Sequence, residues 1–213
     1  MGRIFLVRHA ESESNVQRFF SCRPPGAPLT ERGRIQARSL GRRFADMRLA
    51  RVYSSPLRRA RETAATIAAT TGAPLVLTDA LREFDVGVLD CRGDDTAFKE
   101  HDVIVARWWA GNWDARFPGG ESGFEICERL SGLLSELRLA HPGEDVAAVG
   151  HGGLFCTAIP RLCAVPVPAD GSPLWIGNTA VTVLRHVGGS PAAPTCETWG
   201  CLAHLEPDSE TAG

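Results

Sequence analysis

"RIFLVRHAES", residues 3–12, decides how the chain is read. Its apolar run after Arg3 has the length of a buried strand, and an arginine and a histidine follow it directly. Such a strand either breaks into solvent at that point or delivers two nitrogen-rich side chains to a site. The pair alone is a weak motif, so the neighbouring elements have to decide. "RVYSS" (51–55) reads as a second strand, followed by a helix over "LRRARETAATIAAT" (57–70) that Gly72 closes. "EDVAAVG" (144–150) is another strand, with a helix from about residue 152 to 163 behind it.

The remaining segments fit the same alternation. "LTERGRIQARSLGRRFADM" (29–47) is a helix with Thr30 as N-cap and an approximate apolar stripe of Ile35, Leu40 and Phe44. "PLVLT" (74–78) is a third strand candidate. In "ESGFEICERLSGLLSELRLA" (121–140), Ser122 and Glu125 form a capping box ahead of Ile126, Leu130, Leu133 and Leu137. "TAVTVLRHV" (179–187) alternates like a strand near the sheet edge, a position that could support a homodimer. Strands alternating with helices predict an α/β fold, a three-layer α/β/α sandwich around a mainly parallel sheet. The 213 residues are expected to form one domain, with a lid-like insertion at about 88–120.

Composition excludes several classes. The chain is 44% hydrophobic and 23% charged, as in soluble globular proteins. It has no apolar run of transmembrane length and no signal-peptide layout, so a cytoplasmic protein is expected, with no membrane partner. Seven cysteines at irregular spacing, with no C-x-x-C pair, suit reduced thiols packed as small apolar groups; pairing of Cys196 with Cys201 stays open. Residues 1–61 hold fourteen arginines against four acids, a net of +10, while the rest of the chain carries −12. That asymmetry points to an anionic ligand. Nucleic acid is not expected, because the basic third lacks the interleaved aromatic residues of a stacking platform.

In open α/β sheets, ligands sit beyond the carboxyl ends of the strands. Arg8 and His9 follow the first strand, Ser54, Ser55 and Arg59 the second, and Gly150-His151-Gly152 the "EDVAAV" strand. Two histidines and two arginines at one edge suit a phosphoryl group: arginine grips its oxygens with a permanent charge, and neutral imidazole is a competent nucleophile. Nearby arginines keep His9 unprotonated. The leaving alkoxide then needs a proton, and Glu83 in "LREFDVG" (81–87) is the chosen donor. Rival chemistries lack their motifs: no G-x-x-x-x-G-K-[ST], no G-x-S-x-G, no cysteine six residues before an arginine and no metal-ligand histidine spacing occur. No cofactor and no metal are expected.

With these residues assembled, the chain resembles the histidine phosphatase superfamily, also called phosphoglycerate mutase-like. "LVRHAES", "APLTERGRIQA", "VYSSPLRRARETA", "LREFDVG", "FPGGES", "AAVGHGG" and "GNTAVTVL" occur in the family's order, from residue 3 to about 187. The resemblance implies that His9 is the phosphorylated nucleophile, that Arg8, Arg59 and His151 complete the phosphate pocket, and that Glu83 is the proton donor. It prefers Arg59 over Arg58, adds Asn15 and Ser21 as residues lining the phosphate or substrate, and gives the Gly152 N–H a supporting role at a helix start. One departure is "VGVLDCRG" (86–93), where members often carry an aromatic-acidic-glycine run. The modest segment between Gly93 and Pro118, with Trp108, Trp109 and Trp113, resembles the phosphatase branch more than a mutase with its long lid. Core packing competes for two of these tryptophans, while at least one is expected to face the substrate's organic part. The expected activity is metal-independent hydrolysis of a small phosphorylated metabolite through a phosphohistidine. A mutase acting on phosphoglycerate, and a non-catalytic phospholigand-binding domain, are the alternatives.

Overall fold

The alternating segments close into one sheet covered on both faces. The computed structural model describes residues 2–165, 174–186 and 194–205. In chain order the main elements are β1 (Gly2–Arg8), α1 (Glu13–Gln17), α2 (Glu31–Phe44), β2 (Leu49–Ser54), α3 (Arg58–Thr71) and β3 (Leu75–Leu77). They continue with α4 (Asp95–Trp109), α5 (Gly123–Ala140), β4 (Asp145–Gly150), α6 (Gly152–Leu162), β5 (Val181–His186) and β6 (Thr195–Cys201). The strand order is β3-β2-β4-β1-β5-β6. The first four run parallel, and β5 and β6 are antiparallel additions.

Alternation along the central strands sorts the core into two layers. Phe5 and Val7 of β1, with Ala147 and Val149 of β4, meet Leu40 and Phe44 of α2 and Ala60, Ala64 and Ile67 of α3. The intervening Ile4, Leu6, Val146 and Ala148 face α5 and α6 through Ile126, Leu130, Leu137, Leu154 and Ile159. Each fully buried aliphatic side chain in these layers contributes about 1.5–3 kcal/mol relative to exposure. The helices start where capping residues allow: Thr30 Oγ1 accepts from the Gly33 N–H at 3.0 Å, and Ser122 and Glu125 form the reciprocal box expected of them. Gly72, at φ 72°, ends α3 in the left-handed conformation.

Two expectations change, and one open question closes. Ile35 is exposed; the buried face of α2 is Gly33, Ala37, Leu40, Gly41 and Phe44, where glycine admits a close neighbour. A Cβ at Gly33 would overlap the Glu11 carbonyl. β5 is not the sheet edge, because β6 pairs along it, so the edge-strand premise for a homodimer falls; Val187 lies outside the described residues. β6 hides in sequence because Gly200, at φ 62°, and register shifts interrupt its alternation. Cys196 and Cys201 form no disulfide: Cys196 Sγ donates to the Thr198 carbonyl, and Cys201 Sγ accepts from Arg43.

The segment read as a lid-like insertion contains α4. Asp94 caps it, its carboxylate accepting the Ala97 N–H at 3.0 Å. Trp108 is fully buried and donates through Nε1 to the Ala115 carbonyl at 2.6 Å. Its T-shaped contacts with Phe84 and Phe117 tie α4 to the body. Among the described residues no helix is long and apolar enough to cross a membrane.

Candidate active site

Parallel register brings the strand ends together. Arg8 stands opposite Gly150, and Ser54 opposite Val149, so the residues that follow β1, β2 and β4 emerge at one edge. His9 and His151 meet there with ring centroids 5.1 Å apart. Arg59 arrives from the first turn of α3, and Glu83 from the turn after β3.

The hydrogen bonds of His9 fix its tautomer. Arg59 Nε, which can only donate, lies 3.0 Å from His9 Nε2. Nε2 is therefore the acceptor, and the ring proton sits on Nδ1, which donates to the Ala10 carbonyl at 2.7 Å. Burial, then the charges of Arg59 and Arg8, hold the His9 pKa well below the ordinary histidine value. The outcome is a neutral imidazole with its Nε2 lone pair under the control of Arg59.

The two arginines are almost fully buried, at 7% and 4% exposure for Arg8 and Arg59, and neither forms an ion pair among the described residues. Arg8 Nη1 donates to the Ile176 carbonyl at 2.6 Å and its guanidinium lies over the Trp175 ring, while Arg8 Nε has no partner. Arg59 Nη1 donates to the Ser21 carbonyl at 2.8 Å, and burial lowers its pKa to about 10. His151 Nε2 is 2.8 Å from Ser55 Oγ, and its Nδ1 is buried without a partner. Burial first, and then Arg59, hold the His151 pKa well below its ordinary value. Buried polar atoms are normally satisfied, so two such orphans beside His9 mark a place for an anion.

Glu83 accepts from the Gly153 N–H at 3.1 Å through one oxygen and from the Leu154 N–H at 2.7 Å through the other. It thus sits at the N-terminus of α6, where two backbone N–H groups fix the position of its carboxyl group. It is not the partner of Arg82, which pairs with Asp79. Gly152 lines the same cavity; a Cβ there would stand 3.1 Å from Arg8 Nε, so glycine leaves room for the guanidinium. Asn15 Oδ1 accepts from the Ser12 N–H and from Asn178 Nδ2, and Asn178 Nδ2 also donates to the His9 carbonyl at 3.1 Å. Ser21 reaches the cavity, but its hydroxyl accepts the Ala27 N–H and its carbonyl holds Arg59. Arg58 is exposed and paired with Glu62 on its own helix, as the preference for Arg59 requires.

Arg8, His9, Asn15, Ser21, Arg59, Glu83 and Gly152 all line one cavity of about 460 Å³; His151 is not among the lining residues, and its ring lies 5.1 Å from that of His9. Asn178, a bridge between Asn15 and the His9 backbone, was not singled out in the sequence, although it lies in "GNTAV" (177–181) just before β5. Phe20, His101 and Trp175, which also line the cavity, gave no signal of their own. Of the three tryptophans near residue 110, Trp108 is core, Trp113 packs partly buried against it, and Trp109 faces the cavity.

A strand-end cluster of two histidines and two arginines on a β3-β2-β4-β1-β5-β6 sheet defines the class of protein, and comparison places the chain within it. The chain belongs to the histidine phosphatase superfamily (branch 1), whose family model matches residues 4–199. It is 32% identical over 208 residues to a probable phosphoglycerate mutase, GpmB, of Cronobacter sakazakii, covering 97% of this chain and 96% of that one. Among solved structures, YhfR of Bacillus stearothermophilus superposes with a TM-score of 0.79 at 27% identity, covering 97% of this chain and 100% of that one. A mycobacterial glucosyl-3-phosphoglycerate phosphatase superposes with a TM-score of 0.75 at 27% identity, covering 94% and 99%.

Proposed function

We propose that the protein is a phosphomonoester hydrolase that acts through a phosphohistidine on His9. The observation that carries this reading is the enforced tautomer of His9, which presents a neutral Nε2 lone pair beside the unpartnered Arg8 Nε and His151 Nδ1. An incoming phosphoryl group takes over the Arg59 donor, which releases Nε2 to attack phosphorus. The Nε2–P bond forms as the ester P–O bond breaks, and Glu83, entering as the acid, passes its proton to the departing oxygen. Arg8, Arg59 and His151 hold the charge on the phosphoryl oxygens. Water then attacks phosphorus, Glu83 takes its proton, and the P–N bond breaks to give inorganic phosphate and free His9.

Hydrolysis rather than mutation is supported by access. Trp109 and Trp175 on the cavity wall are 52% and 68% exposed, and a wall open to solvent gives water a way in toward the buried His9. The mutase alternative rests on the likeness to relatives such as the probable phosphoglycerate mutase GpmB. His9→Ala is expected to abolish both phosphate release and covalent labelling by a phosphorylated substrate; phosphate release retained in that variant overturns the mechanism. Incubation with 3-phosphoglycerate and trace bisphosphate separates the reactions, since free phosphate marks a hydrolase and 2-phosphoglycerate a mutase.

A further inference from the structure

The cavity continues beyond the phosphate-binding end, and its character there changes. Phe20, His101 and Phe84 form a stacked aromatic wall, with ring centroids 5.1 Å apart for Phe20 and His101 and 5.9 Å for Phe84 and His101. Val105 and Trp109 extend that wall from α4, and Trp175 lines the cavity beside Arg8. Pockets that bind organic ligands are mostly apolar, with a few polar groups that fix orientation.

Charge is more informative than shape. Arg8 and Arg59 are the two arginines that line the cavity, and both belong to the phosphate end. Every lysine, arginine and histidine of the chain lies within the described residues, so segments outside the description bring no further basic side chain. On nearby elements Arg23 pairs with Asp85 and Arg92 with Asp94, while Arg18 and Arg161 lie over Phe98 and Trp113, rings outside the cavity lining. His101 is already engaged, its Nδ1 lying 3.0 Å from Asp102 Oδ1. Asp102 also lines the cavity as a carboxylate. A substrate carrying a second negative charge would meet repulsion there and no counter-ion.

Resting on the hydrolase reading above, we infer that the substrate is a phosphomonoester whose organic part is uncharged and largely apolar and carries a flat ring. That group lies against Trp109 and the Phe20–His101 wall, and the site selects against carboxylate-bearing esters such as phosphoglycerates. Trp109 is the specificity-determining residue, because it is half-exposed, faces the cavity and its indole makes no hydrogen bond among the described residues.

The test compares kcat/KM for 2-naphthylmethyl phosphate, glycerol phosphate and 3-phosphoglycerate, and measures calorimetric binding of naphthylmethylphosphonate against 3-phosphonopropanoate. The naphthylmethyl ester is expected to exceed 3-phosphoglycerate by about tenfold or more, equal to about 1.4 kcal/mol, and the phosphonates to rank alike. In Trp109→Ala the preference for the naphthylmethyl ester over glycerol phosphate is expected to fall about tenfold, mainly through KM. Equal or better use of 3-phosphoglycerate, or an unchanged preference in Trp109→Ala, overturns the proposal while leaving a hydrolase in place. If no ester is turned over, the hydrolase reading fails instead. The phosphonate ranking then decides the proposal alone, and tighter binding of the carboxylate compound overturns it.

Discussion

Replacing Arg59 separates its two effects on His9. Its Nε bond to His9 Nε2, at 3.0 Å, orients the lone pair, and its charge is the second cause, after burial, of the lowered His9 pKa. Arg59→Met keeps much of the buried volume and removes both effects, together with the bond to the Ser21 carbonyl. Loss of one preorganised donor to transition-state charge costs about 10²–10³ in kcat, so kcat/KM is expected to fall by at least about 10². The sign of the pH effect follows from the deprotonated nucleophile. Without the neighbouring cation the His9 pKa rises, and the acid limb of the kcat/KM profile moves to higher pH. Arg59→Lys keeps the charge but not the fork, so it should lose rate while holding the acid limb nearer its wild-type position. Steady-state kinetics from pH 4.5 to 8.5, with ¹⁵N NMR of His9 to follow its tautomer, reads both quantities. If Arg59→Met retains kcat/KM within about threefold of wild type, or its acid limb does not move, the assigned role of Arg59 is wrong.

Glu83→Gln is expected to slow hydrolysis of alkyl phosphates by about 10²–10⁴ while affecting phosphorylation by 4-nitrophenyl phosphate far less, since that leaving group needs no proton; equal losses in single-turnover assays would remove Glu83 from the donor role. Trp108→Ala empties a fully buried site and leaves the Ala115 carbonyl without its indole donor, so denaturant unfolding should show a loss of about 3–5 kcal/mol, and a loss below about 1 kcal/mol would refute the core assignment. His9, His151, His186 and His204 all have lowered pKa values, that of His204 falling to about 4, so below the ordinary histidine range the unfolded chain binds more protons than the native one. Stability should therefore be full above about pH 6.5 and decline as pH falls through that range; a denaturation midpoint that rises between pH 7 and pH 5 contradicts this sign.

The parallel half of the fold was legible because its signals are local and repeated. β1 and β4 are continuous apolar runs, and the caps at Thr30 and Ser122 mark helix starts. The rule that ligands sit beyond strand ends points Arg8, His9, Arg59 and His151 to one edge; there Arg8, His9 and Arg59 line one cavity, and the His151 ring lies 5.1 Å from that of His9. What stayed hidden has physical causes. The inward row of α4 runs Ala97, His101, Ile104 and Trp108, so a histidine interrupts the apolar period at the residue that builds the cavity wall. Asn178 acts through a contact with Asn15 across 163 residues of sequence, which no local pattern encodes. Ile35 misled because the buried face of α2 uses two glycines, residues that a count of apolar side chains passes over.

The legible and hidden parts of the site differ because they answer to different physics. Phosphate chemistry needs side chains held in fixed relation, and Arg8, His9, Arg59 and His151 achieve this by sitting on or directly beside the most buried elements. The same burial that fixes them lowers the pKa values of both histidines, so rigidity and a neutral nucleophile have one cause. It also leaves Arg8 Nε and His151 Nδ1 unsatisfied, a cost to folding that the phosphoryl group of the proposed reaction would offset. The cavity wall faces no such constraint: Trp109 and Trp175 are exposed, so their replacement disturbs the core little. Changes at the wall can therefore alter which ester enters while the strand-end cluster keeps its geometry. That separation lets a chain 32% identical to a probable phosphoglycerate mutase carry a cavity wall of its own character.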